Sequence, residues 1–446
     1  MLTMRHTPRT RTTVRINLRA LVLSAPLFVL ACAPLPAPAA APRQDSPLAR
    51  IMELNRNGRW DEAARLAQEF LASAGRKPDA QRCEALYDLA YAQTRLGRPD
   101  EARATLDAFD QRCQNLPSAP GWLAAETGRL RSELSGKAAP APARGDDFWQ
   151  TADPAALGLN VGALKRHAEL CLRTGADACL VVYKGKIVQE LYGPRYQEPT
   201  MAMSSTKSVT GLLVGALVDD GKIKGVDEPV CRYVEEWCAG AKGKVTLRHL
   251  LTMTSGLPRM KDEGVGRVSD KNPFVKGLPL AAEPGAAWDY SNEGVQLLSP
   301  VIDRAAGEPA QDYARRRLFG PLGMNDTRLH LDLKGHAWTY ADMETTPRDF
   351  ARLGMLMLGK GTWRGRRVIS ESWVAESTKP SQKLNPNYGL LWWLVPDGYA
   401  ALGYLDTNLY VFPSQDLVVV RMQAKPLDPQ PPYHSEALPI FRQFTK

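Results

Sequence analysis

The sequence predicts an α+β fold, a three-layer α/β/α sandwich around an antiparallel sheet, with a small all-α domain in front of it. Three observations lead there. Two apolar hairpins lie near opposite ends of residues 148–446, an apolar helix opens at Ser204 between them, and the segment before residue 136 carries helical spacing bracketed by Ala/Pro-rich stretches. Strands at both ends of a domain with helices in between are accommodated when the two ends pair in one sheet and the helices cover its faces. At 446 residues with 44% hydrophobic content, the chain exceeds the usual size of one core, and two folded units are expected.

The first element is a leader, residues 1–31. Arg5, Arg9, Arg11, Arg15 and Arg19 precede the apolar run from Ala20 to Ala31, which is too short to span a bilayer and reads as a secretion signal. These arginines carry five of the nine net positive charges. The rest of the chain has no basic patch, and nucleic acid is not an expected partner. Val29-Leu30-Ala31-Cys32 resembles a bacterial lipobox, although Leu30 is an unusual occupant; a plain signal peptide is the competing reading. Lipidation at Cys32 would anchor the protein to a membrane on the periplasmic side of a bacterial envelope. It also leaves six cysteines of seven, in neighbouring twos, Cys83 with Cys113, Cys171 with Cys179 and Cys231 with Cys238. Three local disulfides follow, as an oxidising compartment allows. No Cys-x-x-Cys or clustered His accompanies any pair, which disfavours a metal site.

Residues 32–47 and 136–147 are rich in Ala and Pro and read as solvated linkers. Between them, residues 48–135 form the helical domain, with Trp60 to Ala67 and Ala85 to Ala92 at helical spacing. Leu96-Gly97-Arg98-Pro99-Asp100-Glu101-Ala102 resembles the turn of a tetratricopeptide repeat, in which Gly ends one helix and Pro with acidic residues starts the next. Barely two repeats fit, and a generic helical hairpin is the alternative. The expected role is a spacer or a docking module for a protein partner.

In residues 148–446 the first hairpin is Ala178 to Val188, turned at Lys184-Gly185-Lys186. The second joins Leu409-Tyr410-Val411-Phe412 to the run Leu417 to Met422 through Pro413-Ser414-Gln415-Asp416. Between them, Ser204-Ser205-Thr206-Lys207 opens the apolar stretch Val209 to Leu217. Three residues are just under one helical turn, which places the Lys amine beside the Ser hydroxyl. In a buried helix a neutral amine can take the hydroxyl proton, and the helix dipole favours a nucleophile at its start.

The tetrad alone is a frequent pattern, but it has company. Met201 to Lys207, His249 to Leu257, Pro284-Gly285, Tyr290-Ser291-Asn292, Pro321-Leu322-Gly323-Met324, Asp349 to Gly354 and Tyr388 to Trp393 together resemble the class C β-lactamase-related serine hydrolases. That family includes β-lactamases, DD-peptidases, family VIII esterases and 6-aminohexanoate-dimer hydrolases. The resemblance runs from about Leu159 to Met422. It implies the β-lactamase/penicillin-binding-protein fold, no metal and no cofactor. It also implies Ser204 as acylating nucleophile, Tyr290 and Lys207 as the base pair, and Asn292 as the group that orients the amine or the substrate amide. The oxyanion hole would use the backbone N–H groups of Ser204 and of Tyr404, the residue after Gly403.

The strand expected to border the active site departs from the family pattern, which has Lys, His or Trp two residues before the Gly. Here Ala401 and Leu402 precede Gly403, and Asp406 stands where a second Gly is usual. Neither Ala401 nor Leu402 can hold a penicillin carboxylate, and Asp406 would repel one if it faced the pocket; a turn pointing Asp406 to solvent is equally open. The expected function is hydrolysis of a small ester or amide. A β-lactamase or DD-peptidase is the first alternative, and a non-catalytic envelope binding protein on the same fold is the second. Around Ser204 there is no Gly-x-Ser-x-Gly elbow, so His249 and His336 are read as structural. Trp392 and Trp393 alternate on a strand, one packing and the other lining the cleft.

Overall fold

The two hairpins legible in the sequence meet at the centre of one sheet in the computed structural model. The structure describes residues 47–56, 59–73, 80–113, 127, 130–131, 134 and 148–445, apart from 194–195, 197–198, 261–263, 425 and 428–429. The leader, Cys32 and almost all of both Ala/Pro-rich stretches lie outside the described residues.

Four helices come first, α1 (Pro47–Arg56), α2 (Trp60–Ser73), α3 (Ala80–Arg95) and α4 (Pro99–Cys113). Pro99 opens α4 and Gly97, with φ of 70°, supplies the left-handed step after α3. Ile51, Leu54, Ala63, Ala67 and Leu89 form one apolar cluster, and the Cys83–Cys113 disulfide ties α3 to α4 in another.

The main sheet has seven strands: β1 (Gln150–Thr151), β2 (Ala178–Tyr183), β3 (Lys186–Tyr192), β4 (Trp393–Val395), β5 (Gly398–Ala401), β6 (Asn408–Phe412) and β7 (Leu417–Met422). Their spatial order is β1-β3-β2-β7-β6-β5-β4. The β2–β3 turn uses Lys184 and Gly185, with φ of 47° and 73°, the left-handed pair that suits a two-residue hairpin. β2 and β7 pair antiparallel from Tyr183↔Leu417 to Ala178↔Met422, which joins the early hairpin to the late one. The expected sheet was antiparallel throughout. The two-residue edge strand β1 instead runs parallel to β3, a pairing available because α5 (Val161–Arg173) and β2 intervene in the chain.

Helices cover both faces. On one side α5 and α8 (Tyr433–Phe441) pack with Val181, Tyr410, Phe412 and Val419. On the other lie α6 (Thr206–Asp219) and α7 (Pro347–Leu358). Alternating strand side chains serve the two cores, as the pleat requires. Helix α7 comes so close to the sheet that a Cβ at Gly354 would lie 2.4 Å from Val418 Cγ1. Every residue of α6 from Thr206 to Leu217 is buried. Its Leu212, Leu213, Val214 and Leu217 side chains each contribute roughly 1.5–3 kcal/mol by leaving water. The Cys171–Cys179 and Cys231–Cys238 pairs are also disulfides.

Candidate active site

Ser204 does not start the α-helix itself. It sits in a 3₁₀ turn, Met203–Ser205, directly before α6. Met203 has a φ of 49°, a left-handed conformation that costs a non-glycine residue on the order of 1–3 kcal/mol and persists only where neighbours enforce it. Residues 206, 342 and 343 supply the enforcing contacts. Met203 O accepts from Thr206 Oγ1 at 2.7 Å and from Asp342 N at 3.2 Å, and Met343 N donates to Thr206 Oγ1 at 2.9 Å. Ala202 N donates to Met343 O at 2.6 Å. The wholly buried Ser205 hydroxyl donates to Thr407 O at 2.6 Å and lies 3.1 Å from Ala401 O, which binds the turn to β5 and the bend after it.

Lys207, 2% exposed, directs Nζ to Ser204 Oγ at 3.0 Å and to the Tyr340 carbonyl at 2.7 Å. A serine oxygen and a lysine amine are thus in direct contact, with a backbone acceptor fixing the amine from behind. Nζ also lies 4.8 Å from the centroid of the Tyr290 ring. The amine therefore meets the face of that ring, and no hydrogen bond joins it to the Tyr290 hydroxyl among the described residues.

Aromatic packing fixes Tyr290. Trp393 stacks on it with centroids 5.9 Å apart, and Trp288 and Tyr388 approach Trp393 edge-on at 6.1 and 4.8 Å. Offset and edge-to-face contacts of this kind orient rings as well as burying them. Burial, and secondarily the neighbouring Tyr290, pushes the Tyr388 phenol well above its usual value, so this second phenol stays protonated. Trp392 is buried in the core while Trp393 faces the ring cluster, as strand alternation predicts.

Asn292 begins the short helix Asn292–Gln296, capped by Ser291 Oγ, which accepts from Gly294 N at 3.0 Å. No hydrogen bond joins the Asn292 side chain to the Lys207 amine among the described residues. Its Oδ1 is buried with no hydrogen-bond partner among the described residues, an acceptor left for something else.

The segment that follows β5 closes the site. A Cβ at Gly403 would lie 2.6 Å from Thr407 O, 2.8 Å from Ala202 O and 3.1 Å from Ser205 Oγ, so only glycine lets the chain run this close to the Ser204 turn. The next residues form a tight bend, with Leu405 and Asp406 both left-handed at φ of 60° and 55°. Tyr404 is 68% exposed. Neither Ser204 N nor Tyr404 N donates to a protein acceptor among the described residues.

Asp406 does not face Ser204. Its carboxylate takes a 3.4 Å contact from Asn408 Nδ2 and acts electrostatically on Tyr410, Arg421 and His434, on the α5/α8 side of the sheet. Of the two orientations open for Asp406 in the sequence, these contacts match the one that turns it from the pocket.

Sequence reasoning missed several supports. Tyr340 acts through its carbonyl, which no side-chain pattern reveals. Arg421, wholly buried in β7, donates to Leu405 O at 2.6 Å, Asp406 O at 3.1 Å and Thr174 O at 2.8 Å. A charge inside the apolar run Leu417 to Met422 was a visible signal for it. His249 lies in a capping box, its Nδ1 accepting from Thr246 N, and His336 pairs with Asp332 and Asp270 at 3.3 Å. Neither bonds Ser204.

With this geometry in view, comparison with known proteins is specific. A family model described as Beta-lactamase matches residues 171–436. The chain is 24% identical over 308 residues to the 6-aminohexanoate-dimer hydrolase of Paenarthrobacter ureafaciens, covering 61% of this chain and 77% of that protein. It is 30% identical over 188 residues to esterase EstB of Burkholderia gladioli, 37% of this chain and 45% of that protein. A penicillin binding protein structure from Bacillus halodurans superposes with a TM-score of 0.53 at 17% identity, over 62% of this chain and 100% of that one. Fold, ordered motifs and family match agree, and the chain belongs to the β-lactamase family of serine hydrolases.

Proposed function

We propose that this protein hydrolyses a small ester or amide through an acyl-enzyme on Ser204. The observation that carries the reading is the 3.0 Å contact of Lys207 Nζ with Ser204 Oγ, held by the Tyr340 carbonyl and roofed by the Tyr290 ring. Ser204 Oγ attacks the substrate carbonyl carbon while its proton passes to the Lys207–Tyr290 pair. The resulting oxyanion takes the two free N–H groups of Ser204 and Tyr404. Collapse breaks the bond to the alcohol or amine, which leaves with the proton from the pair. Water then attacks the acyl carbon by the reverse route and frees Ser204. Asn292, with its unpartnered Oδ1, is suited to receive a donor from the substrate.

The strand favours an uncharged acyl side, because Ala401 and Leu402 offer no cation or hydroxyl where a penicillin carboxylate would be held. The aromatic wall of Trp288 and Trp393 suits an apolar group. We place the enzyme in a bacterial envelope, anchored through lipid on Cys32, with the helical segment as spacer; three disulfides fit an oxidising compartment. The test is labelling with a fluorophosphonate probe followed by turnover of p-nitrophenyl esters, aryl amides, nitrocefin and a D-Ala-D-Ala peptide. Ester or amide turnover lost with the label in Ser204→Ala is expected. Equal labelling of Ser204→Ala, or no adduct on folded protein, overturns the reading, and efficient nitrocefin turnover transfers it to the β-lactam alternative.

A further inference from the structure

The Tyr404 N–H is useful only if the bend that carries it stays put, and that bend is costly. Two consecutive non-glycine residues, Leu405 and Asp406, are left-handed, a conformation that persists only where neighbours enforce it. The enforcing contacts converge on one side chain that is far from Ser204 in role. Asn408, the first residue of β6 and 1% exposed, accepts from Gly403 N at 2.9 Å through Oδ1. Through Nδ2 it donates to Asp406 Oδ1 at 3.4 Å and to the Tyr410 hydroxyl at 2.8 Å. It thus grips the residue before the Tyr404 N–H and the residue two after it. Tyr410 is itself held by His434 Nδ1 at 2.8 Å. Arg421 secures the carbonyls of the same bend from below.

We propose that Asn408 is the positioning residue of the oxyanion bend: it touches no substrate, and fixes the Tyr404 N–H by bonding Gly403 and Asp406 at once. The inference rests on the hydrolase reading above. An amide is required at this position because one group must accept from a backbone N–H while another donates to a carboxylate. Leucine fills the space with neither. Aspartate keeps the acceptor but sets a carboxylate against that of Asp406, and the added change Asp406→Asn restores the pairing in reversed order.

The experiment measures kcat and KM on an ester substrate, and the affinity of a phosphonate transition-state analogue, for Asn408→Leu, Asn408→Asp and the double variant Asn408→Asp/Asp406→Asn. Circular dichroism reports folding. A displaced oxyanion donor predicts a 10- to 100-fold loss of kcat in both single variants, KM within about threefold, and a matching loss of analogue affinity. The double variant recovers kcat to within about threefold of the parent. If Asn408→Leu does not fold, the isosteric Asn408→Asp decides alone. The proposal is overturned by kcat within twofold in either folded single variant, by a loss confined to KM, or by a double variant that fails to recover, folded or not. Failure of the hydrolase reading looks different: Ser204→Ala would then keep the parent activity whatever position 408 does.

Discussion

Replacing Gly403 with alanine tests the closeness of strand and nucleophile most directly. Gly403 has φ of −122° and ψ of 163°, which any residue adopts, so the substitution adds no backbone strain. Its whole effect is the new methyl. That carbon would lie 2.6 Å from Thr407 O and 2.8 Å from Ala202 O, against about 3.4 Å for an ordinary contact. Both atoms are backbone and both are tied to the site, Ala202 through the nucleophile turn and Thr407 through Ser205. Relief therefore requires the strand to retreat by about 0.8 Å, carrying the Tyr404 N–H with it. A shift approaching 1 Å at a reacting centre costs about 100-fold in rate, and overpacking of this size destabilises by roughly 1–3 kcal/mol. In a domain of this size that is a fall in Tm of roughly 2–5 °C. Stopped-flow turnover of an ester gives kcat, and calorimetry gives Tm. Unchanged Tm with kcat within threefold of the parent would refute the close-approach argument. A lowered Tm with normal kcat would show that the strand retreats without moving the donor.

Tyr290→Phe keeps the ring beneath Lys207 and the stack on Trp393 while removing the hydroxyl, and should lower kcat by about 100-fold or more with Tm nearly unchanged; Lys207→Met should lose at least as much, both read by ester turnover. Asp88 in α3 is buried against Asn55 Nδ2 at 3.1 Å, and burial raises its carboxyl to about 7. The folded chain then holds a proton that the unfolded chain releases above its usual range. Stability falls as pH rises from about 4 to 7, by on the order of 4 kcal/mol. Asp88→Asn should therefore raise the melting midpoint of the helical region at pH 8.5 and much less at pH 5; an equal gain at both would refute the burial argument. Replacing Cys83 and Cys113 by alanine opens a link spanning 30 residues and should destabilise α3 and α4 by roughly 3–4 kcal/mol, seen in chemical denaturation, with ester kcat preserved.

What the sequence displays depends on the range of the contacts involved. The hairpins at Lys184-Gly185 and at Pro413 to Asp416, the buried α6 and the alternation of Trp392 and Trp393 are local patterns, and they were legible. So was the Ser204–Lys207 contact, because both residues share one turn. The placement of Ser204 ahead of the α-helix was not, since the left-handed Met203 is imposed by backbone groups of residues 342 and 343. Asp406 was read as a possible barrier to anions because its partner Asn408 is visible only once the bend is folded. Tyr340 contributes a carbonyl, and every residue has one. The parallel pairing of β1 escaped because two residues carry no periodicity.

The pairing of β2 with β7 also sets the order in which a newly made chain can become competent. β2 ends at Tyr183 and its partner begins at Leu417, so the β2–β3 hairpin waits with one edge open through most of synthesis, an arrangement that slows folding and invites misplaced strands. Ser204, Lys207 and Tyr290 are all translated long before Arg421, which braces the bend on β7. A chain stopped short of Leu417 would therefore contain Ser204, Lys207 and Tyr290 and still lack the strand that completes the sheet beside them.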